Sequence, residues 1–218
     1  MHKKKQTGNI KQIRREYTHS TLSQKNLTNE PIQLFKIWLN QACKSKMLDP
    51  TAMCLATIDE LGQPCQRLVL LKTINKNKII FYTNFKSKKA MHIQHNPKVS
   101  VCFPWTTLDR QVIISGYASK LPKKDNIKYF YSRPRHNQIS TWVSHQSEII
   151  NSRTRLTKRF LYFKKKFLNI KVPVPNFWGG YQIYITTMEF WQGRAHRLHD
   201  RFIYKKKDKK WHIDRLSP

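Results

Sequence analysis

Acidic residues are scarce in this chain: 12 Asp and Glu stand against 42 Lys and Arg, for a formal net charge of +30. Such an excess ordinarily points to nucleic acid or an anionic membrane surface. The lysines, however, are spread along the whole chain, at 3 to 5, 164 to 166 and 205 to 210, and no recognisable nucleic-acid-binding motif gathers them. That counts against a specific nucleic-acid function and leaves non-specific adhesion to polyanions at low salt. Cysteine is sparse as well. Cys43, Cys54, Cys65 and Cys102 form no CxxC and no zinc-like pairing with His, so they read as reduced thiols of a cytosolic protein and imply no metal. No apolar run approaches the roughly 20 residues that span a bilayer. The opening MHKKKQTGNIKQ also lacks the apolar segment of a secretory signal. The expectation is a cytoplasmic protein without a membrane partner.

Apolar residues make up 39% of the 218 and aromatics 12%, enough to bury a real core in one domain. Residues 1 to 12 read as a flexible basic arm and 13 to 218 as the domain. A helix is predicted from Pro31, with Ile32, Phe35, Trp38, Leu39, Ala42 and Cys43 at helical spacing. From Thr51 the period changes. Short apolar runs, MCLATI, RLVLLK and IIFYT, are separated by turn material at Asp59 to Pro64 and Asn75 to Lys78, the pattern of an antiparallel meander. A second helix over Lys88 to Asn96 stops at Pro97, and strands follow over Val99 to Trp105 and Arg110 to Leu121. Further helices are expected over Lys123 to Tyr131 and from about Ser152 to Asn169. The latter carries Leu156, Phe160, Phe163 and Phe167 on one side and cations on the other. After FWGGY come the last strands, ending with Trp211 to Leu216. Closely spaced strands with a few helices give a mainly β, α+β fold, a barrel rather than a parallel sheet.

The stretch EFWQGRAHRLHDR, from Glu189 to Arg201, carries the most chemistry. Read as one extended strand, it puts Arg197, His199 and Arg201 on one face, each about 6.7 Å from the next. Guanidiniums grip phosphate or carboxylate, and imidazole exchanges a proton near neutral pH. With Phe190 and Trp191 as an aromatic platform, the row suits a flat anionic ligand.

The pattern E-F-W-Q-G, three residues, R-L-H-D-R resembles the C-terminal signature of the pyridoxine/pyridoxamine 5'-phosphate oxidase family. The resemblance extends from Arg14 to Pro218. It implies a homodimeric, FMN-binding split β-barrel that oxidises pyridoxine 5'-phosphate and pyridoxamine 5'-phosphate to pyridoxal 5'-phosphate in vitamin B6 metabolism, with O2 as acceptor and H2O2 as product. The implied FMN site comprises Arg67, Leu68, Val69, Leu70, Leu71, Lys72, Tyr82, Thr83, Lys88, Lys89, Gln111, Gln146, Ser147, Trp191 and Arg201, with Gln146 and Ser147 expected from the partner subunit. The implied substrate contacts are Arg14, Arg15, Glu16 and Tyr17, which fold over the substrate, then Lys72, Tyr129, Arg133 and Asn137 for its phosphate, and Arg197, Leu198 and His199 at the ring. Arg197 and His199 are the catalytic candidates. The chain departs from the family at Lys88, where Arg is common, at Asn137, where Ser is usual, and at Ser140, where Gly is common. Two other readings stay open: a split-barrel flavin-binding protein without this oxidase activity, and a basic nucleic-acid-binding protein.

Overall fold

The computed structural model describes residues 9–218. The basic arm thus lies largely outside the described residues; its end, Ile10–Gln12, forms an exposed 3-10 turn. The first helix, α1 (Pro31–Lys44), begins with proline at its first turn, where no donor is missed. It buries Ile32, Leu34, Phe35, Trp38 and Ala42. Cys43, expected on that stripe, is exposed, because the buried arc ends at Ala42.

The strands are β1 (Ala52–Ile58), β2 (Pro64–Leu70), β3 (Thr73–Asn75), β4 (Lys78–Asn84), β5 (Lys98–Trp105), β6 (Arg110–Lys120), β7 (Trp178–Gln192), β8 (Asp200–Lys207) and β9 (Lys210–Leu216). Among the described residues they form one antiparallel nine-stranded sheet, ordered β2-β1-β5-β6-β7-β4-β3, with β8 and β9 continuing from β7. Closure comes from one short stretch of chain. β2 pairs with β1, then runs directly into β3, which pairs with β4, and the Lys72 N–H donates to the Ile80 carbonyl at 2.8 Å. Both edges of the path are therefore joined covalently, and the sheet curls into a barrel. The expected strands over 53–58, 99–105 and 110–121 are all present, whereas β3 was too short to read.

Strand alternation fills the interior. Met53 and Leu55, Val101 and Phe103, Val112 and Ile114, Ile183, Met188 and Phe190 are buried, and their neighbours face outward. Phe35 of α1 plugs this core, its ring 4.9 Å from Phe103 and 5.7 Å from Trp105. At the β6–β7 register shift, Gly116 is obligatory: an added Cβ would sit 1.9 Å from the Tyr184 carbonyl oxygen.

Helices α2 (Lys88–His95), α3 (Lys123–Ser132), α4 (Arg135–Val143) and α5 (Arg153–Lys166) complete the chain. The sequence did not announce α4, since proline at 134 reads as a breaker until it proves to be the residue just before a helix. The last three helices build a second cluster around Phe130, Ile139, Phe167, Val172 and Trp178, with Phe160 and Phe163 packed on it. That is where the apolar side of α5 goes.

The Glu189–Arg201 stretch is not one strand. β7 ends at Gln192, a 3-10 turn occupies Ala195–Arg197, and β8 begins at Asp200. His196 and Arg197 both take positive φ, 54° and 60°, which breaks the extended period and dissolves the expected Arg197–His199–Arg201 row. Phe35→Ala should cost about 3–5 kcal/mol of stability, seen as a lower urea midpoint with unchanged slope.

Candidate active site

The predicted residues fall into two separate groups. The first surrounds a cavity of about 240 Å³ lined by Leu68, Val69, Leu70, Lys72, Tyr82, Thr83, Lys89, Tyr129, Arg133, Gln146 and Trp178. Its wall holds three cations and no carboxylate. Lys89, on the first turn of α2, is buried, and its Nζ reaches only hydroxyls, Thr83 Oγ1 and Ser87 Oγ, each at 3.3 Å. Burial, with Arg67 close by, lowers its pKa. A buried ammonium with hydroxyl partners alone is stabilised by any anion that enters.

Across the cavity, Arg133 donates from Nη1 to Thr141 Oγ1 at 2.9 Å and from Nη2 to the Asn137 carbonyl at 3.0 Å. Its guanidinium lies 4.6 Å over the Trp178 ring. Tyr82, Tyr129 and Trp178 form a near-parallel stack, with Tyr82 and Tyr129 centroids 3.8 Å apart. Burial, reinforced by the fields of Tyr129 and Asp125, pushes the Tyr82 phenol up to about 12, so it stays protonated as a donor.

Several expectations change here. Gln146 and Ser147 meet their own chain: Gln146 Oε1 accepts from Thr83 Oγ1 and the Asn84 N–H, and Ser147 Oγ accepts from the Lys88 N–H. Within this chain, Gln146 lines the cavity and Ser147 caps the start of α2. Lys88 itself faces a different cleft, with Asp59, Glu60 and His92, because adjacent positions of a helix point about 100° apart. Asn137 is exposed and reaches Arg133 through its main-chain carbonyl, not its amide. Leu71 turns into the core. Ser140 Oγ donates to the His136 carbonyl one turn back in α4. Trp178 and Thr141 were missed; the only cue for Trp178 was its position beside two glycines in FWGGY.

The second group surrounds a cavity of about 540 Å³ lined by Ile13, Arg14, Arg15, Glu16, Tyr17, Arg197 and His199. The RREY segment is pinned down at several points. Arg15 pairs with Asp109, Glu16 accepts from the His196 N–H at 3.2 Å, and Tyr17 sets its ring edge-on to Trp191 and His199 at 5.8 and 5.5 Å. Gly193 makes room for that ring, since a Cβ there would lie 2.9 Å from it. His199 Nδ1 accepts the Arg194 N–H at 3.1 Å, which puts the neutral imidazole's proton on Nε2. Arg14 and Arg197 have no ion-pair partner among the described residues. Holding His196 and Arg197 at positive φ costs about 1–3 kcal/mol each, strain concentrated where a cation is presented. Leu198 points out to solvent.

Gln111, Trp191 and Arg201 lie in one cross-strand row on β6, β7 and β8 beside this second cavity. Arg201 is already committed, with Nε and Nη2 to Glu189 at 2.9 and 2.8 Å and Nη1 to the Ser217 carbonyl. Trp178 in the first group and Trp191 beside the second stand near opposite ends of β7, about 40 Å of strand apart. One small ligand cannot touch both within one chain.

The closed antiparallel barrel with helices packed on one side defines the FMN-binding split-barrel fold class. Superposition agrees: an FMN-binding, pyridoxamine 5'-phosphate oxidase-related protein from Nostoc punctiforme aligns with TM-score 0.69 at 14% identity, over 88% of this chain and 100% of that one. PhzG from Burkholderia lata, solved in complex with tetrahydrophenazine-1-carboxylic acid, aligns with TM-score 0.85 at 28% identity, over 91% and 98%. In sequence, residues 39–166 match the family described as pyridoxamine 5'-phosphate oxidase, and 178–218 match the pyridoxine 5'-phosphate oxidase C-terminal dimerisation region. The chain is 60% identical over 210 residues to the pyridoxine/pyridoxamine 5'-phosphate oxidase of Blochmanniella pennsylvanica, covering 96% of this chain and 97% of that one. It is 51% identical to the enzyme of the same name from Pectobacterium atrosepticum, covering 98% and 94%. The chain belongs to the pyridoxamine 5'-phosphate oxidase family.

At neutral pH, long-range proton–nitrogen NMR correlations should find His199 Nδ1 unprotonated and Nε2 protonated. An Nδ1–H signal would contradict the contact with the Arg194 N–H.

Proposed function

We propose that this chain is an FMN-dependent oxidase of pyridoxine 5'-phosphate and pyridoxamine 5'-phosphate, forming pyridoxal 5'-phosphate with O2 as acceptor and H2O2 as product, in the cytoplasm. The observation that carries the reading is the pair of cationic cavities: one rich in phosphate-binding groups, the other presenting Arg197 and His199, in a chain of this family. In the amine reaction, an imine at C4' is hydrolysed and ammonia leaves. FMN supplies the two-electron acceptor that O2 can regenerate.

The first cavity fits that cofactor. Lys89, at the start of α2, offers its ammonium to the cofactor's phosphate, and Arg67 stands close by. Gln146 offers an amide to the edge of a flat ring. Lys72, Tyr129 and Arg133 would hold the substrate's phosphate by charge-assisted hydrogen bonds, with Trp178 and Thr141 fixing Arg133, so that the reacting ring arrives oriented. Arg197 would lie against the pyridine ring. His199 would donate from Nε2 to a ring substituent; with Nδ1 occupied, the neutral imidazole orients the substrate and does not take its proton. Arg14 and Tyr17 close over the same space.

These halves are too far apart to serve one substrate within one chain, which supports a homodimer that composes each site from the first cavity of one protomer and the second cavity of its partner, with FMN at the interface. The match of residues 178–218 to a dimerisation region supports the same arrangement.

Anaerobic addition of pyridoxine 5'-phosphate to the FMN-loaded protein should bleach the visible flavin band, and air should restore it with pyridoxal 5'-phosphate formed. A flavin that binds and never bleaches with either substrate would reduce the reading to a flavin-binding relative. Arg197→Ala should lose turnover and keep FMN; Trp178→Leu should raise KM about tenfold with kcat little changed. Reassorting inactive Arg133→Ala and Arg197→Ala chains into mixed dimers should restore about a quarter of wild-type activity, because half the dimers then hold one intact site. No restoration would place both halves of a site on one chain.

A further inference from the structure

Thr57, one residue from the end of β1, is only 1% exposed, yet its hydroxyl does no packing that a methyl could not do. The hydroxyl is a hub. Arg67 Nη1 donates to Thr57 Oγ1 at 2.5 Å and to the Leu55 carbonyl at 3.2 Å, and Thr57 Oγ1 lies 3.0 Å from His92 Nδ1. With His92 Nδ1 as the acceptor, the hydroxyl's single hydrogen points to His92 and its lone pairs face Arg67. The guanidinium is thus held through Nη1 by two oxygens of β1, with Cys65 beside it. Lys89 stands close to it, and neither cation has a carboxylate partner among the described residues. Burial lowers the pKa of both, the cost of two neighbouring cations that an arriving dianion would offset.

Resting on the reading of this cavity as the cofactor site, we propose that Thr57 is a positioning residue: its buried hydroxyl aims Arg67 at the cofactor phosphate and so sets the preference for FMN over riboflavin. Thr57→Val keeps the side chain's shape and β-branching while removing the oxygen. Arg67 Nη1 then keeps only the Leu55 carbonyl, and the fork is free to rotate out of line with Lys89. Thr57→Ser keeps the oxygen and loses a methyl.

The test is the dissociation constants of FMN and riboflavin for the full-length apoprotein, read from flavin fluorescence quenching, with thermal melts as a control on folding. The wild type should prefer FMN. Thr57→Val should weaken FMN about tenfold or more and leave riboflavin within about twofold, while Thr57→Ser stays near wild type. If Thr57→Val does not fold, Arg67→Lys, which keeps the charge without the fork, should show the same FMN-selective loss. Unchanged FMN affinity in the folded variants, or equal losses of FMN and riboflavin, would overturn the proposal, as would a Thr57→Ser as weak as Thr57→Val. A wild type that binds no FMN would instead overturn the cofactor reading beneath it.

Discussion

The passage of the chain from β2 into β3 governs the rest of the architecture. Residues 64–70 pair with β1 and residues 73–75 with β4, so the few peptide units between them, anchored by the Lys72 N–H to the Ile80 carbonyl, join the two edges of the sheet. A sheet closed this way has little freedom to flatten, and its strand ends stand at fixed distances around a rim. The end of β2 and the linking Lys72 line the first cavity, with Leu68, Val69 and Leu70 on its wall. Closure and ligand surface are one piece of backbone. The cations of α2 and α3 are brought to that rim by packing: Lys89 through the buried turn at Ser87 and Ala90, Arg133 through Phe130 and Trp178.

Much of the fold was legible because it rests on local periodicity. The alternation in MCLATI and the helical stripe from Ile32 to Ala42 each declare one buried face, and the structure buries that face. β3 escaped because three residues carry no period, and α4 because a proline at its threshold looks like an interruption. The signature stretch misled for a related reason. Its alternating Arg-x-His-x-Arg has the period of a strand, but two consecutive residues of positive φ fold it into a hairpin, and no side chain at 196 or 197 advertises that conformation. The membership of the site was legible from family likeness more than from chemistry. What neither supplied were Trp178 and Thr141, which fix Arg133, and Thr57, which holds Arg67.

The strong positive charge takes on a narrower meaning in three dimensions. The chain's few acids are placed with purpose. Asp109 holds Arg15, Glu16 meets the hairpin at His196, Glu189 locks Arg201, and buried Asp200 takes the Leu22 N–H and the Arg215 guanidinium. Carboxylates here organise the framework and are absent from the wall of the first cavity, leaving Lys72, Lys89 and Arg133 available to an incoming anion. Among the described residues, no helix is long and apolar enough to cross a membrane.

β7 works as a ruler. Its fifteen residues carry Trp178 near one end and Trp191 near the other, with both Gln111 and Arg201 aligned on the latter. Losing a single residue between the two tryptophans would turn one of them to the opposite face of the sheet and break the register of three strands at once. The length of β7 is therefore as constrained as the side chains it carries, since Trp178 reaches Arg133 and Glu189 reaches Arg201 only at this count.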